Sequence, residues 1–292
     1  MTTKKTCDVC NSTQLSHELD TADYFLTQEN FSLFRCNECG YAFTSPAPPT
    51  SKLGKYYESK EYLSHTADEK GFMNSLYKIL RSINLQRKEK LILQHSAPGE
   101  LLDIGSGTGE FLSYCKKRNW SVTGIEPNTK ARQFASDQYK LTIHPEEKIA
   151  ELKNNYYDII TMWHVLEHVP DFNERIEQIK KILKPNGTIV IALPNINSPD
   201  AQKYGKYWAA LDVPRHLHHF SPKSIAKLSQ QHHLKLIDMV PMKMDAYYVS
   251  LLSEKYLNHN LPLIRGAYNG FVSNLKAFKN NNYSSMIFVL KK

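Results

Sequence analysis

The stretch ELLDIGSGTGEF, residues 100–111, decides the fold of this 292-residue chain. It begins with a short apolar run, continues into alternating glycines at positions 105, 107 and 109, and leads into an amphipathic segment over residues 110–118. A buried strand, a glycine turn and a helix form the first half of a nucleotide-binding β-α-β unit. Glycine lets the backbone turn tightly and approach a ligand that a Cβ atom would keep away. We therefore expect a doubly wound α/β domain with a ligand at the end of this strand.

The residues around the glycines indicate a ligand without phosphate groups. A dinucleotide-binding loop has glycine where this chain has Glu110, and Asp103 would repel a pyrophosphate but suits an ammonium group. Glu126 follows Gly105 by about 20 residues, which is the spacing of a carboxylate that accepts ribose hydroxyls. The expected ligand has a ribose and a cationic, amino-acid-like end. S-adenosylmethionine has both.

Four ordered motifs resemble those of the class I S-adenosylmethionine-dependent methyltransferases. They are LLDIGSGTG at 101–109, GIEPN at 124–128, YYDIITMWHVLEHV at 156–169 and LKPNGTIVIALPN at 183–195. The resemblance covers about residues 98–240 and the last strand, and it implies a Rossmann-like, seven-stranded, mostly parallel sheet. The cofactor-binding residues that it implies are Asp103, Gly105, Ser106, Gly107, Gly109, Glu126, Pro127, Trp163 and His164.

Two CxxC pairs near the N-terminus predict a metal-binding module. Cys7 and Cys10 are separated from Cys36 and Cys39 by 25 residues, a pattern typical of a four-thiolate zinc site. Four thiolates leave zinc no open position, so the ion would be structural. Two disulfides are the alternative, which a reducing compartment disfavours; a redox-active pair would lack thioredoxin-like surroundings. We expect the metal to staple a hairpin over residues 24–35.

The predicted domain organisation has three parts. Residues 1–45 form the zinc-binding module and end at the proline-rich sequence SPAPPT. Residues 46–97 form a linker with a helix over 72–93, which either covers the cleft or joins the domains. Residues 98–292 form the methyltransferase domain, with a helical insert at about 245–283 that is a lid, a dimer contact or a membrane-facing segment.

Composition bounds the class of protein and its partners. The net charge is +8 and the pI is about 9.0, but lysine and arginine are scattered along the chain, so a nucleic-acid substrate is less expected than a small molecule. The sequence has no apolar run of the roughly 20 residues that span a bilayer, and no secretory signal at its beginning. We expect a cytoplasmic protein; the sequence does not indicate its oligomeric state.

Histidines are the candidates for acid–base chemistry. The stretch WAALDVPRHLHHFSP, residues 208–222, lies after the fifth predicted strand, where substrate contacts are usual in this family. His216, His219 and His164 are the candidate general bases, in that order, because an imidazole titrates near neutral pH. A metal site in this stretch is disfavoured, since no neighbouring carboxylate or cysteine completes it. For His168 a framework role is favoured.

The function expected from these features is methyl transfer to the oxygen or carbon of a small molecule that is sugar-like or quinone-like. The paired CxxC sequences are similar to those that begin the deoxysugar C-methyltransferases, although those enzymes carry an additional large C-terminal domain. A zinc-containing methyltransferase of ribosomal RNA bases is one alternative. A non-catalytic protein that binds S-adenosylmethionine is the other.

Overall fold

The computed structural model describes residues 4–57 and 72–292, and the side chains of residues 72–81 are outside this description. The chain divides into two compact units. One combines the N-terminal residues with His164–Asn173 and Ala192–Val289. The other contains the chain from the first long helix to Trp163, together with Glu174–Ile191 and Leu290–Lys292. The three-part organisation described above stays a prediction.

A seven-stranded, mostly parallel sheet with flanking helices confirms the predicted fold class. Its strand order is β10-β11-β8-β7-β4-β5-β6, and β4 pairs in parallel with both β5 and β7. A short central strand flanked by parallel neighbours is buried on both faces, which suits the apolar residues Leu101, Leu102 and Ile104 of β4. The strands are β4 (Glu100–Ile104), β5 (Ser121–Ile125), β6 (Ile143–His144), β7 (Tyr157–Trp163), β8 (Leu183–Pro194), β10 (Lys235–Pro241) and β11 (Ser285–Lys291).

The helices begin where the sequence places capping residues. Asn128 accepts a hydrogen bond from the Ala131 N–H, and Ser198 accepts one from the Ala201 N–H, each at the start of its helix. Ser221 forms a full capping box with Ser224. The helices are α1 (Thr50–Leu53), α2 (Phe72–Leu93), α3 (Glu110–Lys116), α4 (Thr129–Tyr139), α5 (Phe172–Ile182), α6 (Pro199–Tyr204), α7 (Pro222–Gln231), α8 (Asp245–Tyr256) and α9 (Pro262–Ala277).

A second, four-stranded sheet contains the N-terminal residues. Its order is β1-β2-β3-β9, with strands β1 (Leu15–Ala22), β2 (Asn30–Cys36), β3 (Ala42–Ser45) and β9 (His218–His219). The predicted hairpin over residues 24–35 is wrong in its first half, because residues 24–29 lie outside the strands and the first strand lies earlier. That strand, LSHELDTA, is mostly solvent-exposed and offers no apolar run to indicate it.

The predicted insert forms two closely packed helices, α8 and α9. A Cβ atom on Gly266 would lie 2.6 Å from the Leu251 Cα, and one on Gly270 would lie 2.7 Å from the Tyr247 Cα. The two glycines therefore let the helix backbones approach one another. The opposite side of α9 exposes large apolar side chains at helical spacing, namely Ile264, Tyr268, Phe271 and Leu275. Among residues 4–57 and 72–292, no helix combines the length and apolarity required to cross a bilayer.

Candidate functional site

The glycine loop after β4 is tightly packed at Gly109 and open at Gly107. Gly109 has φ +78° and begins α3, and a Cβ atom there would lie 2.9 Å from Leu141 Cδ1. Gly107 has φ +53°, and a Cβ atom there would have no atom of the described residues within 4 Å. Both positions need the left-handed backbone that glycine adopts freely. Gly109 is therefore required by packing, whereas Gly107 leaves room for a ligand.

Asp103, near the end of β4, is a buried carboxyl group with one polar partner in the sheet. Its side chain is 2% exposed, and the Thr161 hydroxyl donates a 2.6 Å hydrogen bond to Oδ1. Burial raises the pKa of Asp103 to about 7, although the Thr161 hydrogen bond and the charge of Lys88 oppose this shift. A cation bound beside Asp103 would favour its ionised form.

Glu126 holds the other side of the loop through backbone hydrogen bonds. Its Oε2 accepts the Gly107 N–H at 2.8 Å and its Oε1 accepts the Asn128 N–H at 2.9 Å. Burial raises the pKa of Glu126, and these two N–H groups oppose the shift. Each carboxylate oxygen keeps a lone pair that could accept a ribose hydroxyl.

The remaining predicted cofactor residues of this loop have backbone roles in the structure. The N–H groups of Gly105 and Ser106 donate to the Ile125 carbonyl at 2.8 and 3.0 Å. The Pro127 carbonyl accepts a 2.7 Å hydrogen bond from Arg132. The first two bonds fix the end of β5 against the glycine loop, and the third joins the segment after β5 to α4.

Trp163 ends β7 and lies among residues that the sequence did not single out. Its ring meets Phe111 edge-on at 5.5 Å between ring centroids, and the Lys88 ammonium lies 4.3 Å from its ring centroid. Among the described residues, no group accepts a hydrogen bond from its buried Nε1–H. Lys88 and Phe111 were missed; the basic positions between the apolar residues of α2 were the only signal for Lys88. An unpartnered donor beside an aromatic face suits a polar ligand.

The four paired cysteines lie together, as their spacing predicts. The Cys7 and Cys39 sulfurs are 3.6 Å apart, the Cys10 and Cys36 sulfurs are 3.5 Å apart, and all four lie within 4.8 Å of one another. The five cysteines all lie in the described part of the chain, and each is a free thiol there. Sulfurs bound tetrahedrally at about 2.3 Å from zinc are roughly 3.8 Å apart, so this arrangement could hold a zinc ion.

Two of the clustered histidines are strand residues of the N-terminal sheet. In β9, His218 pairs with Phe43 and His219 pairs with Ala42. Both ring nitrogens of His218 are engaged, Nδ1 with the Tyr41 hydroxyl at 2.5 Å and Nε2 with the Val169 carbonyl at 2.9 Å. His219 Nε2 lies 2.9 Å from the Thr44 hydroxyl. Burial lowers the pKa of His218 to about 4 and that of His219 well below its usual range.

His164 follows Trp163 in the chain and lies between two carboxylates. Its Nδ1 is 3.3 Å from Glu167 Oε1 and its Nε2 is 3.3 Å from Asp245 Oδ2. Burial disfavours the charged ring, but Asp245 and Glu167 outweigh it and raise the pKa of His164 to about 10. Its backbone is left-handed, with φ +59°, a conformation that costs a non-glycine residue energy. His164 is therefore a cation at neutral pH.

Two other residues of the 208–222 stretch are buried in structural contacts. The Trp208 indole N–H donates to Asp200 Oδ2 at 2.8 Å, and the side chain is 2% exposed. Arg215, also 2% exposed, pairs with Asp23 at 2.9 Å and with Asp212 at 2.7 Å. Both side chains are thus committed to the fold.

His216 lies in a cluster that the sequence did not predict. One donor atom from each of Glu167, His168 and His216 lies within 4.8 Å of the others. The rings of His168 and His216 meet edge-on at 4.6 Å between centroids. The structure thus supplies the carboxylate that was absent from the neighbourhood of His216 in the sequence.

The comparisons with known proteins agree with this geometry. A family profile described as "Methyltransferase domain" matches residues 63–238, which is more than half of the chain. The chain belongs to this methyltransferase family. It is an S-adenosylmethionine-dependent enzyme of class I, as its motifs predicted.

Curated relatives of this methyltransferase include two bacterial proteins named ubiquinone biosynthesis O-methyltransferase. The protein from Nitrosomonas europaea is 28% identical over 176 residues, which are 54% of this chain and 73% of the relative. The protein from Actinobacillus pleuropneumoniae is 25% identical over 204 residues, covering 64% of this chain and 86% of the relative.

Solved structures show the same fold at low sequence identity. One is the phosphoethanolamine N-methyltransferase 2 of Haemonchus contortus in complex with S-adenosyl-L-methionine, with a TM-score of 0.55 at 13% identity. The match covers 95% of this chain and 68% of that protein's chain. The geranyl diphosphate C-methyltransferase of Streptomyces coelicolor A3(2) has a TM-score of 0.50 at 10% identity. The match covers 70% of this chain and 75% of that protein's chain.

Proposed function

We propose that this methyltransferase transfers the methyl group of S-adenosylmethionine to a hydroxyl oxygen of a quinone-like small molecule in its reduced, phenolic form. The observation that carries this proposal is the name shared by the two curated relatives, whose lengths are matched over 73% and 86%. The relatives give no support to an RNA substrate or to a non-catalytic binding protein.

The residues of the glycine loop fit the cofactor. Asp103 is proposed to face its ammonium group and Glu126 its ribose hydroxyls, while Gly107 leaves space for the nucleoside. Trp163 offers an N–H that no group among the described residues accepts. S-adenosylmethionine supplies an activated methyl group, so the protein's task is to orient it, exclude water and handle the acceptor's proton.

Removal of the proton from the acceptor's hydroxyl group is the step of the reaction that needs a titratable group. His164 is a poor base because its pKa is raised to about 10, and it is better suited to hold a negative charge nearby. His219 is a poor base as well, since its pKa is far below neutral and its Nε2 contacts Thr44. His216 is the third of the predicted histidines, and it lies beside Glu167 and His168.

The four cysteines are proposed to bind a structural zinc ion. Four thiolates fill the tetrahedral shell, so this ion would hold the N-terminal sheet together and take no part in methyl transfer.

Incubation with methyl-labelled S-adenosylmethionine and separate acceptors tests the proposed reaction. The acceptors are a catechol with an apolar tail, a C-H acidic sugar ketone and total ribosomal RNA. We expect label in the catechol, recovered as a methyl ether by mass spectrometry. Label in RNA or in a carbon–carbon bond, or in none of the three, would contradict it. Asp103→Asn is the variant expected to lose cofactor binding, and His233→Gln, on the exposed turn after α7, is its control.

A further inference from the structure

The cluster of Glu167, His168 and His216 is built like a metal site. All three residues belong to one compact unit, and one donor atom of each lies within 4.8 Å of the other two. Glu167 is 1% exposed and His216 is 9% exposed. Buried groups of this kind need partners, because water cannot solvate them.

The two histidine rings are held in one tautomer by backbone carbonyls. His168 Nδ1 lies 3.0 Å from the Arg215 carbonyl and 3.1 Å from the Tyr57 hydroxyl, and His216 Nδ1 lies 2.9 Å from the Ala210 carbonyl. A carbonyl only accepts, so each Nδ1 carries the proton and donates it. Each Nε2 of the neutral ring then keeps its lone pair. Metal-binding histidines are oriented in this way, by a hydrogen bond from the nitrogen that does not bind the metal.

Glu167 brings an anionic group that the protein only partly satisfies. Among the described residues, none donates a hydrogen bond to Oε1 or Oε2, although Oε1 lies 3.3 Å from His164 Nδ1. The backbone of Glu167 is held against the segment that carries His216, because its carbonyl accepts a 2.8 Å hydrogen bond from the Leu217 N–H. His164 lies beside Oε1, whereas Oε2 has no hydrogen-bond donor among the described residues, so a bound metal ion would supply its positive partner.

We propose that Glu167, His168 and His216 bind a divalent transition-metal ion, with zinc as the best match. Two imidazoles and one carboxylate form a recognised zinc ligand set, and a three-residue set leaves a fourth position open. Ligands at about 2.0–2.1 Å from zinc lie roughly 3.3 Å apart, so small side-chain rotations would close the cluster on the ion. Asp212 Oδ2, 4.0 Å from His216 Nε2, is already held by Arg215 and stays outside the ligand set.

The open position would let this ion bind a hydroxyl oxygen of a small molecule. A hydroxyl group bound there would lose its proton more readily, because the metal stabilises the oxyanion. His216 would hold the ion through Nε2.

Titration of the metal-depleted full-length protein with Co²⁺ tests the site without a methyl acceptor. Cobalt on thiolates absorbs strongly in the near ultraviolet through charge transfer from sulfur, whereas nitrogen and oxygen ligands give only visible bands. We expect the protein to bind two equivalents of cobalt, one with the thiolate absorption in the near ultraviolet and one with visible bands only. A wild-type protein that shows the thiolate signal alone overturns the proposal, and this result needs no variant.

Variants assign the nitrogen–oxygen signal to the cluster. Glu167→Gln and His216→Gln are each expected to bind one equivalent of cobalt instead of two and to keep the thiolate absorption. The retained thiolate absorption also shows that the N-terminal sheet is folded in these variants. His232→Gln is the matched control, since His232 is a buried histidine that contacts Asn173 Oδ1 at 2.7 Å instead of the cluster. A second equivalent that survives both cluster variants contradicts the proposal. Cobalt binding without methyl transfer to the catechol would instead contradict the proposed reaction and leave the site standing.

Discussion

The Thr161 hydroxyl donates a 2.6 Å hydrogen bond to Asp103, which links the neighbouring strands β4 and β7 at the point where the cofactor is proposed to bind. This bond is the main polar support of a carboxyl group that burial keeps close to half-protonated at neutral pH. The charge state of Asp103 is therefore poised to respond to a cationic ligand.

The first prediction is that cofactor affinity depends on pH through Asp103. Its pKa of about 7 in the free protein means that a cationic ligand must displace a proton below pH 7 but not above it. The dissociation constant of S-adenosylmethionine should rise by up to about tenfold per pH unit as the pH falls below 7. Calorimetry at pH 6 and pH 8, in buffers of different ionisation enthalpy, measures both the affinity and the proton released.

The control for this pH dependence is Asp103→Asn, which should bind more weakly at pH 8 and show a flat profile. Equal wild-type affinities at pH 6 and pH 8 would count against the role of Asp103.

The second prediction separates the two glycines of the loop. Gly107→Ala places its methyl group in open space, so it should cost only about 1 kcal/mol of stability from the strained backbone while weakening cofactor binding more than tenfold. Gly109→Ala adds a collision with Leu141 Cδ1 at 2.9 Å and should lose more stability. Urea unfolding and calorimetry on both variants check this. The reverse order of stability would contradict the packing described for Gly109.

The third prediction concerns the buried ion pairs of Arg215. Arg215→Met leaves the fully buried Asp23 without its cationic partner, so the free energy of unfolding should fall by about 3–5 kcal/mol. Lys55→Met is the matched control, because Lys55 and its partner Glu29 are both about half exposed and the loss of this pair should cost less than about 1 kcal/mol. Urea denaturation measures both. Similar losses in the two variants would mean that Arg215 is not the structural residue described here.

The fourth prediction is that the N-terminal sheet depends on its metal. Cys36→Ser removes one of four ligands and should release about one equivalent of zinc and lower the melting temperature, because metal binding stabilises only the folded state. Cys115→Ala, at a buried cysteine on α3 outside the cluster, should retain the zinc. Measurement of the bound zinc per protein chain after dialysis compares the two variants. Equal zinc contents in the two variants would contradict the four-cysteine site.

Much of the fold and of the cofactor loop could be predicted because their signals are local. The strand, the glycines and the helix that follows are consecutive, and so are the capping residues Asn128, Ser198 and Ser221. The two CxxC pairs can also be recognised from the sequence, since the two cysteines of each pair lie in one turn. Spacing along the chain was sufficient in these places.

The parts that were missed depend on contacts between distant segments. Glu167 reaches His216 only because the short helical turn at Leu166–His168 and the segment before β9 are folded together. The pairing of His218 and His219 with β3 has the same origin, and it uses two histidines that looked available for chemistry. Polarity in a sequence does not reveal whether a side chain serves the fold or a ligand.

Calorimetric titration of the full chain with S-adenosylmethionine, its demethylated product and NAD⁺ tests the central claim most directly. The account predicts saturable binding of the first two at one equivalent each, and no heat with the pyrophosphate-bearing coenzyme. Binding of NAD⁺ without binding of either sulfur compound would contradict it.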